Sequence, residues 1–427
     1  MATGIPNITN SPDYFKGIKN IPIELTYEGK KAEETILSSC YINHDRIFHI
    51  NTDNPADNVF YWGDNLDILL QLLREAKYRS KIKLIYIDPP FATKGTFNSK
   101  NQNHAYSDIL SGGQFIEFLR TRLVLLRELL ADDGSIYLHL DSNMAFAMKM
   151  IMDEVFGAQN FRAFITRKKC SNKNYTKSTY GNISDYILFY SKSSKFVWNR
   201  PLAKWDKKKI IKEYPCVEEE TGRRYKKVPV HAPGVRNGET GLPWRGKLPP
   251  AGKHWQYTPA KLDELDRKGE IYWSPSGNPR RKVYFDESQG IPVQDIWMDF
   301  RDSTNQNVKT TGYPTEKNFD MLKQIVAASS SEGDYVLDCF CGSGTTMGAA
   351  YALGRKWIGI DCGEEALRAV LKRFVVGLEA YGDYVDRQED RWEQFSLDLK
   401  KEKCPFDIIT SVAREPDLKN ILEEIQT

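Results

Sequence analysis

Long apolar runs are missing from this 427-residue chain, so no segment reads as membrane-spanning and no secretory leader is expected. Cysteine is scarce and scattered: Cys40, Cys170, Cys216, Cys339, Cys341, Cys362 and Cys404. An odd, dispersed set points to a reducing compartment such as the cytoplasm rather than to a disulfide framework. No C-x-x-C pair occurs, so no metal site is expected. Histidine is rarer still, and His104, His139, His231 and His254 are too dispersed to suggest a catalytic role. Repeats and low-complexity segments are absent.

Net charge also nearly vanishes, at +3, but only because two regions cancel. Residues 161–290 hold 28 Lys and Arg against 13 Asp and Glu, a net +15; the remainder holds 32 against 44, a net −12. A basic region on an acidic body is the footprint of a nucleic-acid binder, the bland alternative being a soluble lysine-rich insertion. The length allows one large core plus a second lobe.

The regular pattern starts at Val59-Phe60-Tyr61-Trp62-Gly63-Asp64-Asn65, a short strand followed by a helix carrying Leu66, Leu69, Leu70 and Leu73. Lys83-Leu84-Ile85-Tyr86-Ile87-Asp88 reads as a central parallel strand. A long polar stretch from Ala92 to Gly113 follows, of a length usually kept for function or disorder. A helix is predicted from about Gln114 to Leu130, then the strand Ser135–Asp141, a helix to Phe156, and two sheet-closing strands, Phe161–Thr166 and Asp185–Tyr190. From Asn199 to Phe300 prolines, glycines, aromatics and cations replace the long periodicity, which marks an inserted lobe. Helix Phe319–Ala328, the strand ending at Asp338, helix Thr345–Leu353 and strand Trp357–Asp361 complete the pattern. The first residues suggest a hairpin, Ile23–Tyr27 with Glu34–Leu37, and the C-terminal stretch reads as helical. The expected divisions are an N-terminal extension 1–58, a first α/β half 59–198, the lobe 199–300, a second half 301–375 and a tail 376–427.

Two strand ends carry the chemistry. Val336-Leu337-Asp338-Cys339-Phe340-Cys341-Gly342-Ser343-Gly344-Thr345-Thr346 is a tight strand-to-helix turn whose glycines let backbone approach a ligand. Asp361 ends the next strand, about 20 residues on, where an acid commonly meets ribose hydroxyls. The turn lacks Gly-Lys-Ser/Thr, which disfavours phosphate transfer, and a dinucleotide fingerprint is incomplete. Cys339 and Cys341 read as small packing residues. In Asp88-Pro89-Pro90-Phe91 the prolines remove N–H donors and leave carbonyls as acceptors. Asp88 and the Pro89 carbonyl suit an exocyclic amine, and Phe91 offers a stacking face to an extruded base. The plain alternative is a capped, proline-rich strand end.

With the cofactor-type turn following the Asp-Pro-Pro-Phe motif, the chain resembles the permuted, β-class amino-methyltransferases of DNA, most of all the Mod modification subunits of type III restriction systems. Gly63-Asp64-Asn65-Leu66 through Phe91, Met152–Gly157, Asp185–Tyr190 and Pro314-Thr315-Glu316-Lys317-Asn318 carry the resemblance, which spans roughly 59–375. It implies an α/β, Rossmann-like S-adenosylmethionine-dependent methyltransferase fold, circularly permuted, mostly parallel with an antiparallel closing hairpin and an inserted target-recognition domain. S-adenosylmethionine would be held by Asp338, Phe340, Gly342, Ser343, Gly344, Thr345 and Asp361, with Thr315 and Lys317 along its methionine part and Asp64 and Asn65 beside its adenine. Asp at position 88 rather than Ser resembles the adenine-N6 branch more than the cytosine-N4 branch. Phe91 departs from the more frequent Tyr, keeping stacking and losing a hydroxyl. The implied partners are double-stranded DNA, a second copy of the chain in a homodimer, and a separate restriction or helicase–nuclease subunit, since the chain is shorter than typical Mod subunits and carries no such motif. In the basic lobe Lys207-Lys208-Lys209, Arg223-Arg224-Tyr225-Lys226-Lys227 and Arg280-Arg281-Lys282 are candidate phosphate contacts, and some among Arg236, Asn237, Arg245 and Asn278 are candidate base readers. Most of the lobe's tryptophans are expected to pack a small core. Rival readings are cytosine-N4 methylation, RNA as substrate, and a non-catalytic specificity subunit on the same scaffold.

Overall fold

The protein is seen in a computed structural model that describes residues 24–90, 112–171, 178–287, 290–302, 309–380 and 403–426. Two compact units divide these residues: a body built from the chain up to Asn199 and from Gln294 onward, and a lobe, Arg200–Val293.

The body is a ten-stranded sheet. Its strands in chain order are β1 Arg46–Ile50, β2 Val59–Trp62, β3 Ile82–Ile87, β4 Leu130–Leu140, β5 Phe161–Lys168, β6 Ser184–Ser191, β7 Ile296–Trp297, β8 Tyr335–Asp338, β9 Lys356–Asp361 and β10 Phe406–Thr410. They lie in the order β1-β10-β2-β9-β8-β3-β4-β6-β5-β7. From β10 to β4 every pairing is parallel, and β6 closes antiparallel against both β4 and β5. Leu84, Ile85 and Ile87 of β3 are fully buried, as a strand covered on both faces must be. Each such side chain contributes roughly 1.5–3 kcal/mol of burial.

Helices α1 Asn65–Leu72, α2 Gly113–Leu129, α3 Ala145–Phe156, α4 Phe319–Ser329, α5 Thr345–Ala352, α6 Glu364–Leu371 and α7 Glu415–Gln426 join or flank the strands. α1 starts where the Asp64 carboxylate accepts the Leu66 N–H at 2.7 Å, and α4 where Asn318 Oδ1 accepts that of Met321 at 3.0 Å. Along α2, Phe115, Leu119, Leu123, Leu126 and Leu129 are buried, so the expected apolar stripe is the packed face. None of the described helices is long and apolar enough to cross a membrane.

The chain runs from β3 through α2 to β4 on one side and from β8 through α5 to β9 on the other. The connections therefore diverge between the neighbouring strands β3 and β8. In open α/β sheets ligands bind at such a switch point, beyond the carboxyl ends of the strands. Asp88 and Asp338 both stand there.

Both ends of the chain depart from expectation. Glu33–Leu37 is a helix rather than half of a hairpin. The C-terminal stretch is not wholly helical, because Phe406–Thr410 enters the sheet between β1 and β2. Five residues beside a highly charged segment carry too short a pattern to reveal a strand. The interior supplies the reason for it: Phe406 and Ile408 are fully buried, and Thr410 Oγ1 donates to the Trp62 carbonyl at 2.8 Å.

The lobe carries a four-stranded antiparallel sheet in the order Ile271–Trp273, Pro279–Tyr284, Arg224–Pro229, Cys216–Val217. Its core is Val230, Trp244, Trp255, Leu262, Leu265 and Ile271, with Tyr257 and Trp273 against it. Helix Pro259–Arg267 supplies the two leucines and begins with Thr258 as its cap and proline at its first turn. The indole N–H groups of Trp244, Trp255 and Trp273 donate to Asp263, the Leu242 carbonyl and Asp266, so these tryptophans are core residues, satisfied at their polar edge.

Candidate active site

Asp88 sits one residue beyond β3 in an asymmetric setting. Its Oδ2 pairs with Lys317 Nζ at 2.5 Å. Its Oδ1 is buried and has no hydrogen-bond partner among the described residues. A buried acceptor without a partner costs on the order of 1–3 kcal/mol, which marks the oxygen as kept for something else. Pro89 is buried and Pro90 exposed. Phe91 lies outside the described residues, as does most of the polar stretch that follows it.

On the neighbouring strand Asp338 holds the glycine turn from within. One oxygen accepts the Phe340 N–H at 3.0 Å and the other the Thr346 hydroxyl at 2.6 Å. Burial pushes its carboxyl up to about 7, against the pull of those two hydrogen bonds and with a further push from Asp88. Gly342 and Gly344 take φ of +46° and +72°, where a side chain is strained; a Cβ on Gly342 would also meet the Tyr313 ring at 3.2 Å. Ser343 and Thr345 are buried and share a 2.8 Å hydroxyl contact. Asp361, at the end of β9, accepts the backbone N–H groups of Gly342 and Gly363, each at 2.9 Å. Burial raises its carboxyl too, opposed by these backbone donors. Cys339 and Cys341 are buried, and burial lifts both thiols far above the ordinary range, as suits packing residues.

A buried clasp sets Lys317 on Asp88. Arg373 donates to the Ser343 carbonyl at 2.8 Å and to Glu316 Oε1 at 2.5 Å, while Glu316 Oε2 takes the Thr311 N–H and hydroxyl. The 311–317 segment is thereby tied to the glycine turn. Thr315 itself is exposed. Asp64 caps α1, and Asn65 is buried with its amide spent, donating to the Cys339 carbonyl at 2.8 Å and accepting from Arg122 Nε at 2.6 Å. Asn65 thus supports the turn, and the aromatic surface near it comes from Phe118 and Phe340, with centroids 6.0 Å apart. Sequence reasoning missed Tyr313, Arg373, Arg122 and Phe118 because each acts across the fold, far in sequence from either motif. It also set His139 aside. Fully buried, its Nδ1 lies 3.9 Å from Asp88 Oδ1.

The lobe's candidate cations do not form one cluster. Lys207 and Lys208 open a helix, Lys207–Glu213. Arg280 and Arg281 are adjacent on a strand and point to opposite faces of its sheet. Arg224 and Lys226 share the face of Arg281, because Arg281 stands opposite Val228. Arg223 pairs with Asp286 at 2.7 Å, Arg245 with Asp266 at 2.5 Å, and Arg281 donates to the Tyr257 hydroxyl at 2.9 Å. Arg236 and Arg280 are exposed.

A family model described as DNA methylase matches residues 82–372, which takes in both strand ends and everything between. The chain belongs to the N6/N4 DNA methylase family. The type II methyltransferase M.EcaI of Enterobacter cloacae is 46% identical over 413 residues, covering 95% of this chain and 90% of that protein. The Mod subunit of the type III restriction–modification enzyme StyLTI of Salmonella typhimurium is 29% identical over 343 residues, covering 70% of this chain and 51% of the subunit. The Mod resemblance therefore holds over about half of that longer protein, whereas the type II relative matches nearly end to end. Among solved structures, the M1.HpyAVI–SAM complex aligns at 16% identity with a TM-score of 0.40, over 74% of this chain and 98% of that one.

Proposed function

We propose that this DNA methylase transfers a methyl group from S-adenosylmethionine to the exocyclic N6 of an adenine turned out of duplex DNA. The observation that carries the reading is a buried Asp88 Oδ1, without a hydrogen-bond partner among the described residues, beside a glycine turn on the adjacent parallel strand. The surroundings of Asp361 fit the cofactor: left-handed glycines, the Tyr313 ring over Gly342, and an acid at the strand end. When bound, S-adenosylmethionine supplies an electrophilic methyl on a sulfonium. The chain supplies the rest. Asp88 Oδ1 and the Pro89 carbonyl accept the two amine N–H groups, which draws the nitrogen lone pair out of conjugation and toward the methyl. Lys317 occupies Oδ2, which leaves Oδ1 to face the amine. The nitrogen would take the methyl directly as the S–CH3 bond breaks, leaving a neutral thioether, so no covalent enzyme intermediate forms; the extra proton leaves the nitrogen toward Asp88.

Adenine is preferred to cytosine because Asp rather than Ser stands at position 88. Incubation of duplex DNA with labelled cofactor, digestion and nucleoside chromatography should yield N6-methyladenine; N4-methylcytosine would overturn the base assignment. The name of the type III relative supports placing the enzyme in a restriction–modification system with a separate restriction subunit; the homodimer is proposed from the family resemblance alone. Light scattering at micromolar concentration should give the mass of two chains.

A further inference from the structure

Behind Asp88 the sheet contains a polar chain that neither motif uses. Tyr86, two residues before Asp88 on β3, places its hydroxyl 2.7 Å from His139 Nδ1 on β4. His139 Nε2 lies 3.0 Å from Asp185 Oδ2 on β6. Arg167 on β5 reaches the same oxygen at 2.9 Å, gives Nε to the Phe300 carbonyl at 2.7 Å and Nη2 to Asp302 at 2.6 Å. His139 and Arg167 have no exposed surface, and Asp185 is 3% exposed. Four neighbouring strands have thus each spent a buried position on a polar group. A hydrophobic core would do at least as well for stability, so stability alone does not explain the chain.

We infer that His139, anchored by Tyr86 and Asp185, is a positioning residue for Asp88. The inference rests on the reading of Asp88 as the amine acceptor. With Lys317 on Oδ2, the carboxylate has one remaining way to turn. The His139 ring blocks it, standing 3.9 Å from Oδ1, too far to consume that oxygen in a hydrogen bond and close enough to hold its rotamer. The anchors are firm. Burial holds the Tyr86 hydroxyl far above its ordinary range, so the phenol keeps its proton. Burial opposes ionisation of Asp185, yet its neighbours His139 and Arg167 hold that carboxyl well below the usual range. Arg167 in turn links the relay to Asp302, so the segment after β7 fixes the orientation of a ring on β4.

The test compares His139→Gln, Asp185→Asn and Tyr86→Phe with wild type and with Asp88→Ala, using duplex DNA and S-adenosylmethionine. A loosened carboxylate should lower kcat by about 100-fold in the first two variants. KM for DNA and cofactor should stay within twofold; the melting temperature should stay within a few degrees in His139→Gln, whereas Asp185→Asn, which takes a carboxylate from buried Arg167, should also melt lower. Tyr86→Phe, which removes one oxygen from the interior, should show the same split at smaller amplitude and decides the matter should either other variant fail to fold. Wild-type kcat in all three overturns the positioning role. So does a fall in kcat that merely follows lost binding and lost stability, the signature of structural damage. An active Asp88→Ala would instead sink the underlying reading of Asp88, whatever the relay variants do.

Discussion

The body and the lobe use charge in opposite ways. Besides exposed pairs such as Arg368–Glu424 and Lys356–Asp57, the body holds charged groups that are buried and bound into chains: Lys317–Asp88, Arg373–Glu316 and Arg167–Asp185–His139. In the lobe, they are exposed or half-exposed and paired locally, as in Arg223–Asp286, Lys261–Glu264 and Lys268–Glu264, while the core is left to tryptophan and leucine. Desolvated pairs of the first kind hold geometry to a fraction of an ångström and fail badly when one partner is lost. Surface pairs of the second kind are worth little and can be exchanged for phosphate contacts. On the function proposed above, the body would fix a few reacting atoms and the lobe would remain available for association.

Breaking the clasp in the body should show the largest effect. Arg373→Met leaves Glu316 buried without its cation and should cost about 3–5 kcal/mol of stability. Urea unfolding and cofactor titration should register it together, since the same arginine holds the Ser343 carbonyl. Next comes the carboxyl of Asp338, raised to about 7 by burial. A group whose folded value lies above its unfolded value stabilises fully below the unfolded value, and that contribution is lost as pH rises through the folded one. Asp338→Asn should therefore gain on wild type between pH 4 and 7, by on the order of 2–4 kcal/mol across that window. Melting curves at several pH values will check the sign. In the lobe, Arg280→Ala should leave stability within about 0.5 kcal/mol. It should weaken DNA binding uniformly across sequences and reduce the salt slope by roughly 1. An Arg280→Ala protein that unfolds like Arg373→Met would erase the contrast between the two units.

Legibility followed the same division. The central strands were readable because burial on both faces leaves a continuous apolar run, as in Leu84–Ile87, and the candidate site residues Asp88, Asp338 and Asp361 stand at their ends. The relay was hidden, since His139, Arg167 and Asp185 meet only after β4, β6 and β5 pair, and each alone looks like an ordinary polar residue. Asn65 was expected beside the cofactor adenine, and the structure adds what the sequence could not show: its amide is engaged by the Cys339 carbonyl and Arg122. In the lobe, short strands and dense prolines blur periodicity, and a run such as Arg280-Arg281 conceals that its members face opposite ways.

Asp88→Ala is the most direct test of the central claim that this carboxylate grips the amine. Filter binding, cofactor titration and labelled-methyl incorporation should be measured on the same preparation. Binding of DNA and of S-adenosylmethionine near wild-type levels, with methyl transfer reduced to background, is the predicted result. Transfer at the wild-type rate would contradict it.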